Sequence, residues 1–198
     1  MPDAGLVTCD VEVNAPDTNV GQVGASGGSL GPDLACVAGA EIIGIAVRES
    51  NQNTSNGGPS AVGLTILCAP VTVDLLGATV GTETSQEVSG TGQFGWTPAT
   101  QSTLTRCPPG WLMSGLDASR GQSGNRFLEV TLSCSELDVF GNTTGQTQDI
   151  YVAGSLMEAG VHDNVQCPTG QVVRRIGTRV GAGFDAATLF CAAPSCAP

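Results

Sequence analysis

Cys107-Pro-Pro-Gly110-Trp-Leu-Met-Ser-Gly115-Leu116-Asp-Ala-Ser-Arg120 decides the fold, because the chain writes it three times. The other copies run Cys36-Val-Ala-Gly39-Ala-Glu-Ile-Ile-Gly44-Ile45-Ala-Val-Arg48 and Cys167-Pro-Thr-Gly170-Gln-Val-Val-Arg-Arg175-Ile176-Gly-Thr-Arg179. Each opens on Cys, has Gly at the third position after it and an aliphatic at the ninth, and closes on Arg. Gly stands at the eighth position in two copies; Arg175 replaces it in the third. A second half-motif follows each and ends in Cys: Gly63-Leu-Thr-Ile-Leu-Cys68, Glu129-Val-Thr-Leu-Ser-Cys134 and Ala186-Ala-Thr-Leu-Phe-Cys191. Gly5-Leu-Val-Thr-Cys9 repeats that ending at the start of the chain. The copies begin 71 and then 60 residues apart, so the 198-residue chain reads as three internal repeats of one unit.

A Cys-x-x-Gly turn enters a strand, glycine supplying the backbone freedom that a tight turn requires. A polar, Gly-rich loop follows (residues 51–59, 121–125 and 180–183), and a second strand returns to the closing Cys. That is a hairpin with a Cys at each outer end, which places strand start and strand finish within disulfide reach. The expected pairs are Cys36–Cys68, Cys107–Cys134 and Cys167–Cys191, with Cys9–Cys196 tying the termini. Eight cysteines allow 105 pairings, and a staggered set with Cys9–Cys36 and Cys191–Cys196 stays open. Each loop closed in this way contributes about 3 kcal/mol by chain entropy.

Between the motif cores (36–68, 107–134, 167–191) lie segments with a β-rich start and a Gly-rich end. Each third therefore offers about four strands, and the N-terminal strand 5–9 is expected to complete one of the sheets. Three sheets packing their apolar faces around one axis make residues 1–198 a single domain. No window carries a helical apolar stripe. Hydrophobic residues make up 40% but aromatics only 4%, so the core is aliphatic. All-β is the expected class.

Charge narrows the partners. Eighteen acidic residues face seven basic ones, all Arg, for a net charge of -11. Such a surface repels phosphates and anionic headgroups, so neither nucleic acid nor a membrane is expected as partner. No CxxC pair suggests zinc or redox chemistry. Wide cysteine spacing points to an oxidising compartment: secreted or extracellular, at the cell surface or in the periplasm. Met1-Pro2-Asp3 lacks a basic or apolar run, the mark expected of a mature chain whose leader was replaced by a start Met. Asn53-Thr54-Ser55 and Asn142-Thr143-Thr144 are glycosylation sequons.

These repeats resemble the β-prism group: bacterial secreted proteins with Cys-Pro-x-Gly…Gly-Ile…Arg units, the vitelline membrane outer layer protein and jacalin-like lectins. The resemblance implies three four-stranded sheets about a pseudo-threefold axis, with sugar binding or a coat role. Jacalin-like lectins hold a sugar between a Gly-Gly loop and a Gly-x-x-x-Asp loop. Gly27-Gly28 and Gly181-Ala-Gly183-Phe184-Asp185 match these, implying backbone amides and a carboxylate on sugar hydroxyls with Phe184 stacking on the ring.

Other chemistry is weaker. His162 is the single His and has no Gly-x-Ser-x-Gly elbow to serve, so it reads as a surface residue. No cofactor is expected. Asp149, Asp163 and Asn164 are the residues that calcium would take, although no EF-hand spacing exists. Trp111 reads as core, and Arg48, Arg120 and Arg179 as one repeated structural contact per sheet. The expected function is a non-enzymatic, lectin-like carbohydrate-binding module with a glycan or matrix component as partner. The alternative is a structural protein of an extracellular coat, filament or adhesive surface that self-associates.

Overall fold

A computed structural model describes residues 8–14, 16–50, 61–90, 98–101, 104–120, 127–154, 161–181 and 183–197. Residues 50, 98–101, 120, 127 and 128 are described for their backbone alone. The chain is all-β. Each repeat forms an antiparallel hairpin: Glu41–Ser50 with Ala61–Ala69, Trp111–Arg120 with Phe127–Leu137, and Val172–Val180 with Phe184–Ala192.

The turn glycines behave as the motif requires. Gly39, Gly110 and Gly170 have φ of 77°, 80° and 84°. The flanking bonds Ala40 N–H to Val37 O, Trp111 N–H to Pro108 O and Gln171 N–H to Pro168 O close three equivalent four-residue turns. Positive φ at the third turn position is the type II pattern, which a Cβ penalises.

Each hairpin carries the same bulge six to eight residues after its opening Cys. Pairing slips between Ile42 and Gly44, between Met113 and Gly115, and between Val173 and Arg175. The extra residue is Ile43, Ser114 or Arg174. One inserted residue reverses the alternation of faces. Ile42, Met113 and Val173 therefore point to the axis together with Ile45, Leu116 and Ile176, all buried in one central cluster. Ile66, Leu132 and Leu189, each two residues before a closing Cys, complete this centre from the returning strands.

Outer strands widen each hairpin into a sheet. In the first, Thr84–Ser89 flanks the returning strand, and Pro98–Gln101 and Thr105–Arg106 flank the opening one. In the second, Thr143–Gly154 and Val161–Gln166 take those places. The third sheet draws its outer strands from the other end of the chain: Thr18–Gly24 pairs with Phe184–Ala192, and Ser29–Leu30 and Leu34–Ala35 pair with Val172–Val180. N- and C-terminal segments thus close the prism around the axis.

The glycines at the eighth position now have a cause. A Cβ on Gly44 would overlap the Thr105 carbonyl of the adjoining outer strand, and one on Gly115 would overlap the Gln166 side chain. In the third sheet Leu34–Ala35 holds the place that Thr105–Arg106 holds in the first, and Arg175 stands where Gly44 does. Its guanidinium lies 3.4 Å from the Phe190 ring centroid and bonds Asp17 and Asp33.

The termini depart from the expected three-sheet count. The first described strand, Cys9–Val13, pairs with Val71–Asp74 and with Pro194–Cys196, and Gly77–Val80 lies beyond Val71–Asp74. This is a fourth small sheet, not a completion of one of the three; residues 5–7 of the expected strand 5–9 lie outside the described residues. Val11, Val13, Val71 and Val73 cover Ile43, Leu112 and Val172 in a second apolar cluster at the base of the prism. The strand is recruited there because hairpin bases leave aliphatic ends that three sheets alone would expose.

Four disulfides join Cys36–Cys68, Cys107–Cys134, Cys167–Cys191 and Cys9–Cys196, with Cα–Cα distances of 5.0 to 5.7 Å. No helix among the described residues is long and apolar enough to cross a membrane.

Candidate functional site

The two sequence loops that matched separately meet at the tip of the third hairpin. The pairing of Leu30 with Arg179 and of Ser29 with Val180 lays the 25–30 segment along the end of the hairpin. Ala25 N–H donates to Asp185 O at 3.1 Å, and Arg179 reaches the carbonyls of Gly28 (3.3 Å) and Ser26 (3.5 Å). Gly24 N–H donates to the Asp163 carboxylate at 3.0 Å, tying the same segment to the second sheet.

Two glycines face one carboxylate. A Cβ on Gly28 (φ 70°) would overlap Asp185 Oδ2, and one on Gly181 would stand 2.7 Å from that oxygen. Both positions need glycine for close approach, and Gly28 needs it for its left-handed backbone as well. Gly181 N–H donates to Gly183 O at 2.9 Å, which tightens the loop beneath. Gly27 lies half-buried beside Gly28, and Gly183 is buried. The product is a loop pair in which Gly28 and Gly181 closely approach a half-buried Asp185 carboxylate. A carboxylate can accept hydrogen bonds from adjacent hydroxyls.

Phe184 does not join it. It is 3% exposed and packs in the central core, so it cannot stack on a ligand. Pairing slips here, Arg179 facing Ala186 and Val180 facing Phe184, so Asp185 is the extra residue of a bulge and Phe184 turns inward.

The remaining expectations separate. Asp149 lies on one edge strand of the second sheet, Asp163 and Asn164 on the opposite edge. Asp149 accepts from Ser133, and Asn164 donates to Asp117. The three do not meet around a cation, and no cluster of three or more His, Cys, Asp or Glu that could hold a metal occurs among the described residues. His162 is exposed, 3.6 Å from Asp117. Trp111 is half-buried against the central core, while Asn53 lies outside the described residues. Arg48 bonds Glu87 at 2.7 Å, whereas Arg179 takes carbonyls instead of a carboxylate; the Arg120 side chain lies outside what is described.

Sequence reading missed Glu41. It is 6% exposed, and burial lifts its carboxyl to about 7. Its Oε1 accepts from Val13 N–H at 3.0 Å. The signal was present in the repeat: Glu41 occupies the fifth position, which the other copies fill with buried Leu112 and Val172.

The architecture matches solved structures. Calystegia sepium agglutinin superposes with a TM-score of 0.56 at 16% identity, over 90% of this chain and 97% of that one. The same values of 0.56 and, at 15% identity, 90% and 97% hold for Calsepa lectin in complex with a biantennary N-glycan. Calsepa lectin with a bisected glycan gives 0.54 at 15%, over 89% and 98%. The fold is the jacalin-like β-prism. No family model and no curated protein matches the chain in sequence. Within a jacalin-like β-prism, the identities of 15–16% mean that chain direction and sheet closure are shared while most side chains differ.

Proposed function

We propose that this protein is a secreted, lectin-like carbohydrate-binding module that binds rather than turns over its ligand. The supporting observation is the convergence of Gly28 and Gly181 on the Asp185 carboxylate at the tip of the third hairpin. Two loops far apart in sequence each carry glycine where a side chain would fill the space in front of one carboxylate. A carboxylate held between two glycine loops suits adjacent hydroxyls of a sugar, a neutral ligand that an acidic surface does not repel. Four disulfides support an extracellular or periplasmic setting. A glycan array tests the reading. Wild type gives hits that Asp185→Ala abolishes, with the far-ultraviolet spectrum and Tm retained; an unchanged array profile for Asp185→Ala refutes the loop site.

One observation favours a second reading, a self-associating coat or adhesive component. Leu75 and Leu76 (82% exposed) and Phe140 sit on two turns at the terminal sheet, flanking one shallow cavity. Exposed apolar side chains grouped this way suit a protein contact. Filaments or sheets in negative-stain micrographs, lost on Leu76→Asp, together with an empty glycan array, support this reading over the first.

A further inference from the structure

The three Cys-x-x-Gly turns each overhang a cavity at the end of the prism opposite the loop site. The cavities differ in chemistry because other residues line them. Beneath the second turn, about 180 Å³ is walled by Val73, Ala78 and Leu137 from the terminal sheet and its neighbours. Beneath the first, about 220 Å³ holds Glu41 and Arg174, a buried carboxyl and a guanidinium. Beneath the third lies the largest, about 330 Å³, with Ser114, the bulge residue of the second hairpin, in its wall.

Two residues that line this third cavity each carry a buried oxygen with no hydrogen-bond partner: Ser114 Oγ, on a residue 4% exposed, and Gln171 Oε1. They are the two such side-chain atoms among the described residues. A buried unsatisfied polar atom costs about 1–3 kcal/mol, and both belong to residues of one cavity wall. Around them are Thr147, Ser135, Gln166 and Asp149, with Gln166 Nε2 donating to Ser133 Oγ and Ser133 Oγ donating to Asp149. Hydroxyls and amides dominate; the described lining holds one carboxylate and no cation. A volume near 330 Å³ is roughly ten times a water's share of the liquid and within the range of small-ligand sites.

We propose that this cavity is a second ligand site, taking one neutral, hydroxyl-rich unit of the saccharide class. Gln171 Oε1 requires a donor, Ser114 Oγ either donates or accepts, and vicinal hydroxyls meet both needs at once. The ligand class rests on the carbohydrate-binding reading; the site itself rests on the orphaned atoms and the cavity. It lies at the base of the third hairpin, where Gln171 is ten residues of chain (roughly 33 Å of extended strand) from Gly181. One molecule would then grip glycan at both ends of the prism.

The test uses nitrogen-15-labelled Asp185→Ala protein, with the loop site disabled. The probes are methyl glycosides of glucose, galactose, mannose and N-acetylglucosamine at millimolar concentration. At least one is expected to give saturable shifts at the Gly145, Thr147 and Gln171 amides while Gly28 stays still. Gln171→Leu in the same background should weaken that binding about tenfold or more, the loss of one buried hydrogen bond. Ser114→Ala should weaken it as well while leaving Tm equal or higher, because the substitution removes an orphan from the free protein. This last pairing keeps the test valid if Gln171→Leu folds poorly. The proposal is overturned if no probe shifts these amides, if both variants bind as the parent does, or if only ordered water occupies the cavity. Loss of array binding in Asp185→Ala reports on the loop site alone, so either site can fail without the other.

Discussion

Replacing Glu41 by Gln should stabilise this protein at neutral pH and leave it unchanged in acid. The carboxyl is held at about 7 against an ordinary value of 4.5, first by burial and secondarily by Glu12; the Val13 N–H and Arg174 pull the other way. Between pH 4.5 and 7 the folded protein keeps a proton that the unfolded chain releases. Stability is therefore fully present below about 4.5 and falls as pH rises through 7, where the folded state is left with a buried charge. The separation corresponds to about 3 kcal/mol. Gln keeps an oxygen for the Val13 N–H and carries no charge at any pH. Thermal melts of wild type and Glu41→Gln, disulfides intact, should coincide near pH 4 and separate by roughly 6–12 °C at pH 8, the variant higher. The difference between the curves isolates this one group from the other titrating carboxylates. Parallel curves from pH 4 to 8 would refute the burial argument. A variant less stable at pH 8 would show instead that the ionised carboxylate is held by more than the Val13 amide.

Other perturbations read the repeat itself. Gly44→Ala forces a Cβ against the Thr105 backbone carbonyl, whereas Gly115→Ala meets only the far end of the flexible Gln166 side chain. Urea melts should show a cost of about 2 kcal/mol for the first and under about 1 kcal/mol for the second. Ile45→Ala, Leu116→Ala and Ile176→Ala remove equivalent buried side chains from the axis, so each should cost about 2–5 kcal/mol; one near-neutral member would break the pseudo-threefold account. Gly28→Ala places a methyl on the Asp185 carboxylate at a positive φ. Array hits should vanish with a modest loss of Tm, and retained binding would remove Gly28 from the site.

What the sequence by itself determined is what depends on short spans of chain. Cys, turn glycine, apolar strand, polar loop and closing Cys lie within about thirty residues, so each hairpin and its disulfide follow from local geometry. The third-copy exception at Arg175 was equally visible, although its partners, Asp17, Asp33 and the Phe190 ring, were not. Tertiary structure alone decided the rest. Which way a side chain faces depends on bulges that reverse strand parity, and no spacing rule marks where pairing slips; this is why Phe184 is core and Asp185 is not. The pairing of Cys9–Val13 with Pro194–Cys196, the third sheet's borrowed N-terminal strands, and the meeting of Gly28 with Asp185 join segments about 140 or more residues apart. Such contacts form because closing the prism buries aliphatic edges that every hairpin leaves open, a driving force that belongs to the assembled core and to no single stretch of sequence.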